Sequence, residues 1–440
     1  MGVGVLRSLI TALVLITILL CVYLESNTNM YGHRQPITVN SSHPKEDALS
    51  NCEIPAGGYK AWNNGVVTVL EPVIYRNCGR LLEGDSREAG RVKEVSQKWT
   101  KALSDEAFLK RTSNCSWLME ELTQNLYNSQ LERQFPLAYA FVVHNSPQQV
   151  FRLLKVLYRP QNTYCIHYDN KSKDSFKRLF DTMAGCLDNI IVASRIENVE
   201  WGKHTFLDAQ LSCLSDLVRL RKAQPKTVQW KYVINLCGKE LPLATGREIV
   251  SRLIPLNGSS SIAPKNNSDK SRLKGKVVPF NLTMYKNSAY NALSFQFVDY
   301  LINNETAQTM LEFFIGVTMP EEHYYSTMYM QPGVPGGFNP RITQEKYFRV
   351  VKALWCFHKT CKSECQGKWT HNICVTSSAD LPRIMAEQRE YKNVFHNKYF
   401  MERDHTVMDC VEEMLVARNK DEFASECSAS QRKERNYKQK

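Results

Sequence analysis

Two adjacent carboxylates, Glu321 and Glu322, directly follow Pro320 in the segment MPEEHYY, residues 319–325. Acids so placed can take or give a proton at a reacting hydroxyl. In the first turn of a helix they also answer the macrodipole, so the segment alone supports either reading. His144 and Asp169 each close an apolar run, residues 137–143 and 163–168, and Lys398 stands between aromatics in VFHNKYF, residues 394–400. Cys356, Cys361, Cys365 and Cys374 cluster with His358 and His371. These are zinc-ligating types, but their spacing matches no Cys-x-x-Cys pair, and disulfides are the alternative.

The elements that position these groups can be read from periodicity. Residues 137–143 form an apolar run of strand length, rich in β-branched and aromatic types. Ser146 then reads as an N-cap with Pro147 at the first helical position. Val150, Leu153, Leu154 and Leu157 follow at helical spacing, so one face is buried, and Pro160 ends the helix. A second strand, 163–168, delivers Asp169 at its carboxyl end, where ligands of open α/β sheets bind. Further strands are expected at 189–194, 230–236 and 288–293. Helices are expected at 205–221, with Leu207, Leu211, Leu214 and Val218 buried, and near 295–302 and 307–315. Alternation of strand and helix predicts an α/β fold with a mostly parallel central sheet. Residues 77–133 read as helical, residues 257–275 as a polar surface loop and residues 355–374 as a cystine-tied loop.

The chain has 440 residues, 56 Lys and Arg against 44 Asp and Glu, a net charge of +12 and 43% hydrophobic residues, ordinary for a globular protein. Part of the excess sits in residues 431–440, which read as a solvated, mobile basic tail and so give little support for nucleic acid. The remaining excess suits an anionic substrate. Near the start, Arg7 precedes an almost uncharged run, residues 8–24, rising about 25 Å as a helix, which barely spans a bilayer. A signal anchor and a cleaved signal peptide are both open readings. No small-x-small cleavage pattern follows, which favours the anchor, with residues 1–7 cytosolic and the bulk of the chain luminal. Residues 25–75 are polar and turn-rich and read as a stem. Fourteen cysteines and sequons at Asn40, Asn114, Asn170, Asn257, Asn266, Asn281 and Asn304 fit an oxidising, glycosylating compartment.

Several segments, in order, resemble the core 2 and I-branching β-1,6-N-acetylglucosaminyltransferases, a family that also includes the protein xylosyltransferases. They are FPLAYAFVVH, YRPQNTYCIHYDNKS, WKYVINLCGKELP, Ser-Ala-Tyr at 288–290, Pro-Glu-Glu at 320–322, VPGG and HNKYF. The resemblance implies a GT-A-like fold in a luminal domain at residues 76–430 of a single-pass type II Golgi membrane protein. It implies inverting transfer of N-acetylglucosamine from UDP-N-acetylglucosamine to a hydroxyl of a mucin-type O-glycan, forming a β-1,6 branch. No metal or other cofactor is implied, and the sequence holds no Asp-x-Asp motif. Without an ion, the leaving diphosphate needs fixed cations.

By position, the resemblance makes Glu322 the general base, Val142, His144 and Asp169 the uridine surroundings, and Lys398 the diphosphate lysine. His371 stands where the family has an arginine, with Arg383 or Arg389 as substitutes. On the acceptor side it points to Glu321, Trp355, Lys270 and Arg272, with a serine near Ser259 in place of the family's acid. It also implies the disulfides Cys78–Cys410, Cys115–Cys186, Cys165–Cys213 and Cys365–Cys374, a free thiol at Cys237, and leaves Cys356 and Cys361 able to pair. The changed acceptor region and the lost arginine keep two other readings open: a different donor such as UDP-xylose, and a catalytically silent glycan-binding fold.

Overall fold

In the computed structural model, the residues described are 77–98, 105–124, 126–266, 271–273 and 275–438. The anchor and stem segments, residues 8–75, and Lys270 therefore lie outside the described residues. Among those described, no helix is long and apolar enough to cross a membrane.

The central sheet comprises β1 (Leu137–Val143), β2 (Thr163–Tyr168), β3 (Ile190–Val192), β4 (Tyr232–Leu236) and β5 (Ala292–Ser294), in the order β3-β2-β1-β4-β5. The first four are mutually parallel and β5 runs antiparallel at the edge. Side chains of β1 alternate between two cores, as the twofold period of a strand requires. Leu137, Tyr139, Phe141 and Val143 pack with the helix Pro147–Leu157, while Ala138 and Ala140 face the helix His204–Ala223. That second face also carries the Cys165–Cys213 disulfide, which ties β2 to the helix above it.

Most expected elements are present with shifted ends. The strand expected at 288–293 is β5, and helices occupy Phe295–Asn303 and Glu305–Phe313. Ser146 is the N-cap ahead of Pro147, as expected, but at φ 58° and without a side-chain cap bond; its hydroxyl accepts from Lys239. Two readings need correction. Within the expected surface loop 257–275, Ser259, Ser260 and Ser261 are buried. Carbonyls satisfy two of their hydroxyls, Ser259 Oγ donating to Gly337 at 2.7 Å and Ser261 Oγ to Phe348 at 2.8 Å. The basic run at the end continues the helix Thr406–Lys438 rather than standing apart as a tail.

A second, three-stranded sheet joins Glu240–Pro242 antiparallel to Phe395–Asn397, which runs parallel to Val351–Ala353. The last helix is locked to the helix 147–157 by Arg152, buried, whose guanidinium donates to Asp409 at 2.7 Å and to Glu412 at 2.8 Å. Five disulfides join described residues: Cys78–Cys410, Cys115–Cys186, Cys165–Cys213, Cys356–Cys361 and Cys365–Cys374. The four cysteines that could have formed a zinc set are thus paired with one another, and among the described residues Cys237 is the free thiol.

Candidate active site

The carboxyl ends of β1 and β2 are stitched together. The Asp169 N–H donates to the Val143 carbonyl, and Ser172 Oγ donates to the His144 carbonyl, both at 2.8 Å. Val142 is buried in β1 opposite His167. Asp169, also buried, accepts from the Lys171 N–H at 2.9 Å and lies 3.5 Å from the Lys171 ammonium. His144 keeps solvent access, yet the protein around its ring lowers its pKa below the usual histidine value. Lys239, Lys398 and Lys171 act in the same direction and Asp169 opposes them. His144 and Asp169 are thus brought together, with a group of lysines around them.

Two loops bring Lys239 and Lys398 to this end. Gln149, buried in the first turns of helix 147–157, donates to the Gly238 carbonyl at 2.8 Å and the Tyr399 carbonyl at 3.0 Å. Its side-chain oxygen accepts from the Met401 N–H at 2.9 Å. One amide therefore fixes both lysine loops. Gly238 has φ +75°, and a Cβ there would meet Val150 at 2.9 Å and Val143 at 3.0 Å. Only glycine fits this close approach without strain.

Glu321 and Glu322 open the helix Glu321–Tyr329 and have different surroundings. Glu322 is partly accessible; its Oε2 accepts from Arg272 Nη1 at 2.6 Å and lies 3.4 Å from Lys286 Nζ. Glu321 is buried, its Oε2 lacks a hydrogen-bond partner among the described residues, and burial pushes its pKa up to about 7, the charge of Glu322 adding to the effect. The helix start is tied to the rest of the rim by the loop after β3. Met319 N–H donates to the Gly202 carbonyl at 2.9 Å, while Lys171 Nζ donates to the Val199 carbonyl at 2.6 Å. The same loop therefore touches the carboxylate pair on one side and the Asp169 corner on the other.

His371 and Asn372, both at positive φ, form the two-residue turn joining Lys368–Thr370 to Ile373–Val375, as tight hairpins require. The His371 ring lies 6.0 Å from the ring of Trp201, which is 76% exposed. Lys398 is at the other end of that hairpin, its N–H donating to the Cys374 carbonyl at 3.4 Å. Arg383 is committed to Asp380 at 3.2 Å and Glu387 at 2.8 Å, and Arg389 is exposed. Trp355, 49% exposed, stacks on Phe357, 68% exposed, at 5.6 Å with nearly parallel rings. Trp201, Phe357 and Lys239 were not legible as site residues, since each sits in a stretch without period or repeated spacing. Chemically, the rim offers a carboxylate oriented by two cations, a cluster of lysines at strand ends, and exposed aromatic faces of the kind that sugars stack on.

Comparison with known proteins identifies the family. The family model described as "Core-2/I-Branching enzyme" matches residues 137–385. A zebrafish (Danio rerio) relative, "Beta-1,3-galactosyl-O-glycosyl-glycoprotein beta-1,6-N-acetylglucosaminyltransferase 4", is 32% identical over 378 residues, 78% of this chain and 85% of its own. A mouse (Mus musculus) "N-acetyllactosaminide beta-1,6-N-acetylglucosaminyl-transferase" is 32% identical over 333 residues, 69% of this chain and 80% of its own. A human (Homo sapiens) "Beta-1,3-galactosyl-O-glycosyl-glycoprotein beta-1,6-N-acetylglucosaminyltransferase" is 29% identical over 379 residues, 77% and 84%.

Proposed function

The chain belongs to the Core-2/I-branching enzyme family of glycosyltransferases, and from that premise we propose that it moves N-acetylglucosamine from UDP-N-acetylglucosamine to a hydroxyl of an O-glycan, with inversion and without a metal. The observation that carries this reading is the Glu322 carboxylate, oriented at the rim by Arg272 and Lys286. In the proposed step Glu322 takes the proton of the acceptor hydroxyl while that oxygen forms its bond to the anomeric carbon. The bond from that carbon to the UDP oxygen breaks on the opposite face. Lys398 stands for the positive charge that the departing diphosphate needs. His144, Asp169 and Val142 hold the nucleoside side, and Trp355 with Phe357 offers an apolar face to the acceptor sugar.

Membership fits a β-1,6 branch on a mucin-type core, with the fold of GT-A enzymes and a Golgi membrane anchor at residues 8–24. Ser259 supports an acceptor grip of its own kind, because its hydroxyl is buried and engaged with the Gly337 carbonyl. His371 brings an imidazole where the family has a guanidinium, and Arg383 is engaged with Asp380 and Glu387, so lysines are the cations proposed for the diphosphate.

The test is turnover of the full-length chain on O-glycan acceptors with labelled UDP-sugars. Transfer from UDP-N-acetylglucosamine should persist in EDTA, and Glu322→Gln should lower kcat by about 100- to 10,000-fold with donor binding retained. Transfer from UDP-xylose alone would reassign the donor. Nucleotide binding without transfer to any acceptor would favour a silent glycan-binding protein, and strict manganese dependence would overturn the metal-free step.

A further inference from the structure

Lys239 holds a cation where folding alone gives it no purpose. The residue is 4% exposed, and its ammonium donates to the Ser146 hydroxyl at 2.9 Å. No ion pair joins Lys239 or Lys398 to a carboxylate among the described residues. An ammonium has three donors, and burying one without an anion is costly.

The register sharpens the problem. The antiparallel ladder of the second sheet ends at the pair Asn397 and Glu240, so Lys398 and Lys239 are the next residues on its two strands. The Tyr399 N–H donates to the Lys239 carbonyl at 2.9 Å, which keeps the two backbones adjacent at this point. Both ammonium groups lie over one ring, that of Phe400, at 5.1 Å for Lys239 and 5.6 Å for Lys398. Like charges gathered at one ring repel. The pKa of Lys239 is accordingly held below the usual lysine range, first by burial, with Lys398 adding to this while Glu402, Cys237 and Glu240 oppose it. Gln149 nevertheless clamps the two loops together.

Two neighbouring ammonium groups with no ion-paired carboxylate among the described residues, beside His144 and Asp169, match a ligand with two linked negative groups. We propose that Lys239 and Lys398 together form a two-lysine clamp for the diphosphate of the donor, Lys239 being the second fixed cation of the leaving-group site. This rests on the nucleotide-sugar reading above and specifies what holds its leaving group. As the bond between the anomeric carbon and the diphosphate oxygen breaks, the electron pair left on that oxygen is met by both ammonium groups. The Phe400 ring beside them limits hydration of the two cations.

The experiment is calorimetric titration of the full-length, detergent-solubilised chain with UDP, UMP and uridine. Lys239→Met should weaken UDP about 10- to 100-fold, the loss expected for one charge-assisted contact, and leave uridine within about twofold. UMP should fall between them, and Lys239→Arg should recover most of the UDP affinity. Without ligand, Lys239→Met should unfold at the same temperature as the wild type or higher, because an unpaired buried charge has been removed. Unchanged UDP affinity in Lys239→Met, or equal losses for UDP and uridine, would overturn the clamp. A wild-type chain that binds UMP and UDP equally would overturn it too. Failure of the wild type to bind UDP at all would instead strike the nucleotide-sugar reading itself.

Discussion

At the scale of single residues, the two neighbouring glutamates divide their work by environment. Glu322 meets two cations at the rim, whereas Glu321 is buried with an oxygen that has no partner among the described residues. The folded state raises the Glu321 pKa from 4.5 to about 7. Its protonated form therefore adds stability in full below pH 4.5, and that contribution is lost as the pH rises toward 7, by at most about 1.4 kcal/mol per pH unit. Glu321→Gln mimics the protonated form. Denaturant titrations from pH 4 to 8 should show a flatter profile for this variant and, above pH 7, a midpoint higher than the wild type's. Kinetics on the same two proteins bear on the base: a value near 7 also suits proton abstraction at neutral pH. If Glu321→Gln loses as much turnover as Glu322→Gln, the base moves to Glu321.

At the scale of elements, the site depends on the turn after β4. Gly238→Ala would place a methyl against Val143 and Val150 and force a left-handed conformation on a residue that resists it. It should cost about 1–3 kcal/mol of stability, read by urea unfolding, and should weaken UDP binding because Lys239 is displaced. How much of this was legible follows from how local each signal is. β1 and β2 have the bounds expected from sequence, because an uninterrupted apolar run between turn residues identifies its own ends. The buried stripe of helix 204–223 was equally visible. The strands Glu240–Pro242, Phe395–Asn397 and Val351–Ala353 have three residues each, too few to show alternation. Lys239 consequently reads as an ordinary loop lysine until the fold brings it to the same ring as Lys398. His371 lies at a tight turn whose sequence, His-Asn, carries no glycine to announce it. The serines at 259–261 look like loop because their burial depends on distant carbonyls that periodicity cannot reveal.

At the scale of the whole molecule, the Cys78–Cys410 disulfide spans 332 residues of sequence. It fastens the helix Cys78–Glu83 to the helix 406–438, the one that also receives Arg152. Constraining so long a loop should stabilise the chain by roughly 2–5 kcal/mol. The double variant Cys78→Ser with Cys410→Ser should accordingly lower the thermal midpoint in calorimetry, whereas an unchanged midpoint would show that burial of the two helices suffices without the crosslink.

That long crosslink also sets a timetable for synthesis. A ribosome delivers Cys213 to Cys165 after 48 further residues, but Cys78 has to wait for Cys410. During that interval its thiol stays open to wrong partners among the cysteines made in between. Phe395–Asn397, the strand that carries Lys398 to the rim, emerges in the same late portion. On the proposed two-lysine clamp, a nascent chain would therefore lack Lys398, and with it half of the clamp, until nearly all of its length has been made.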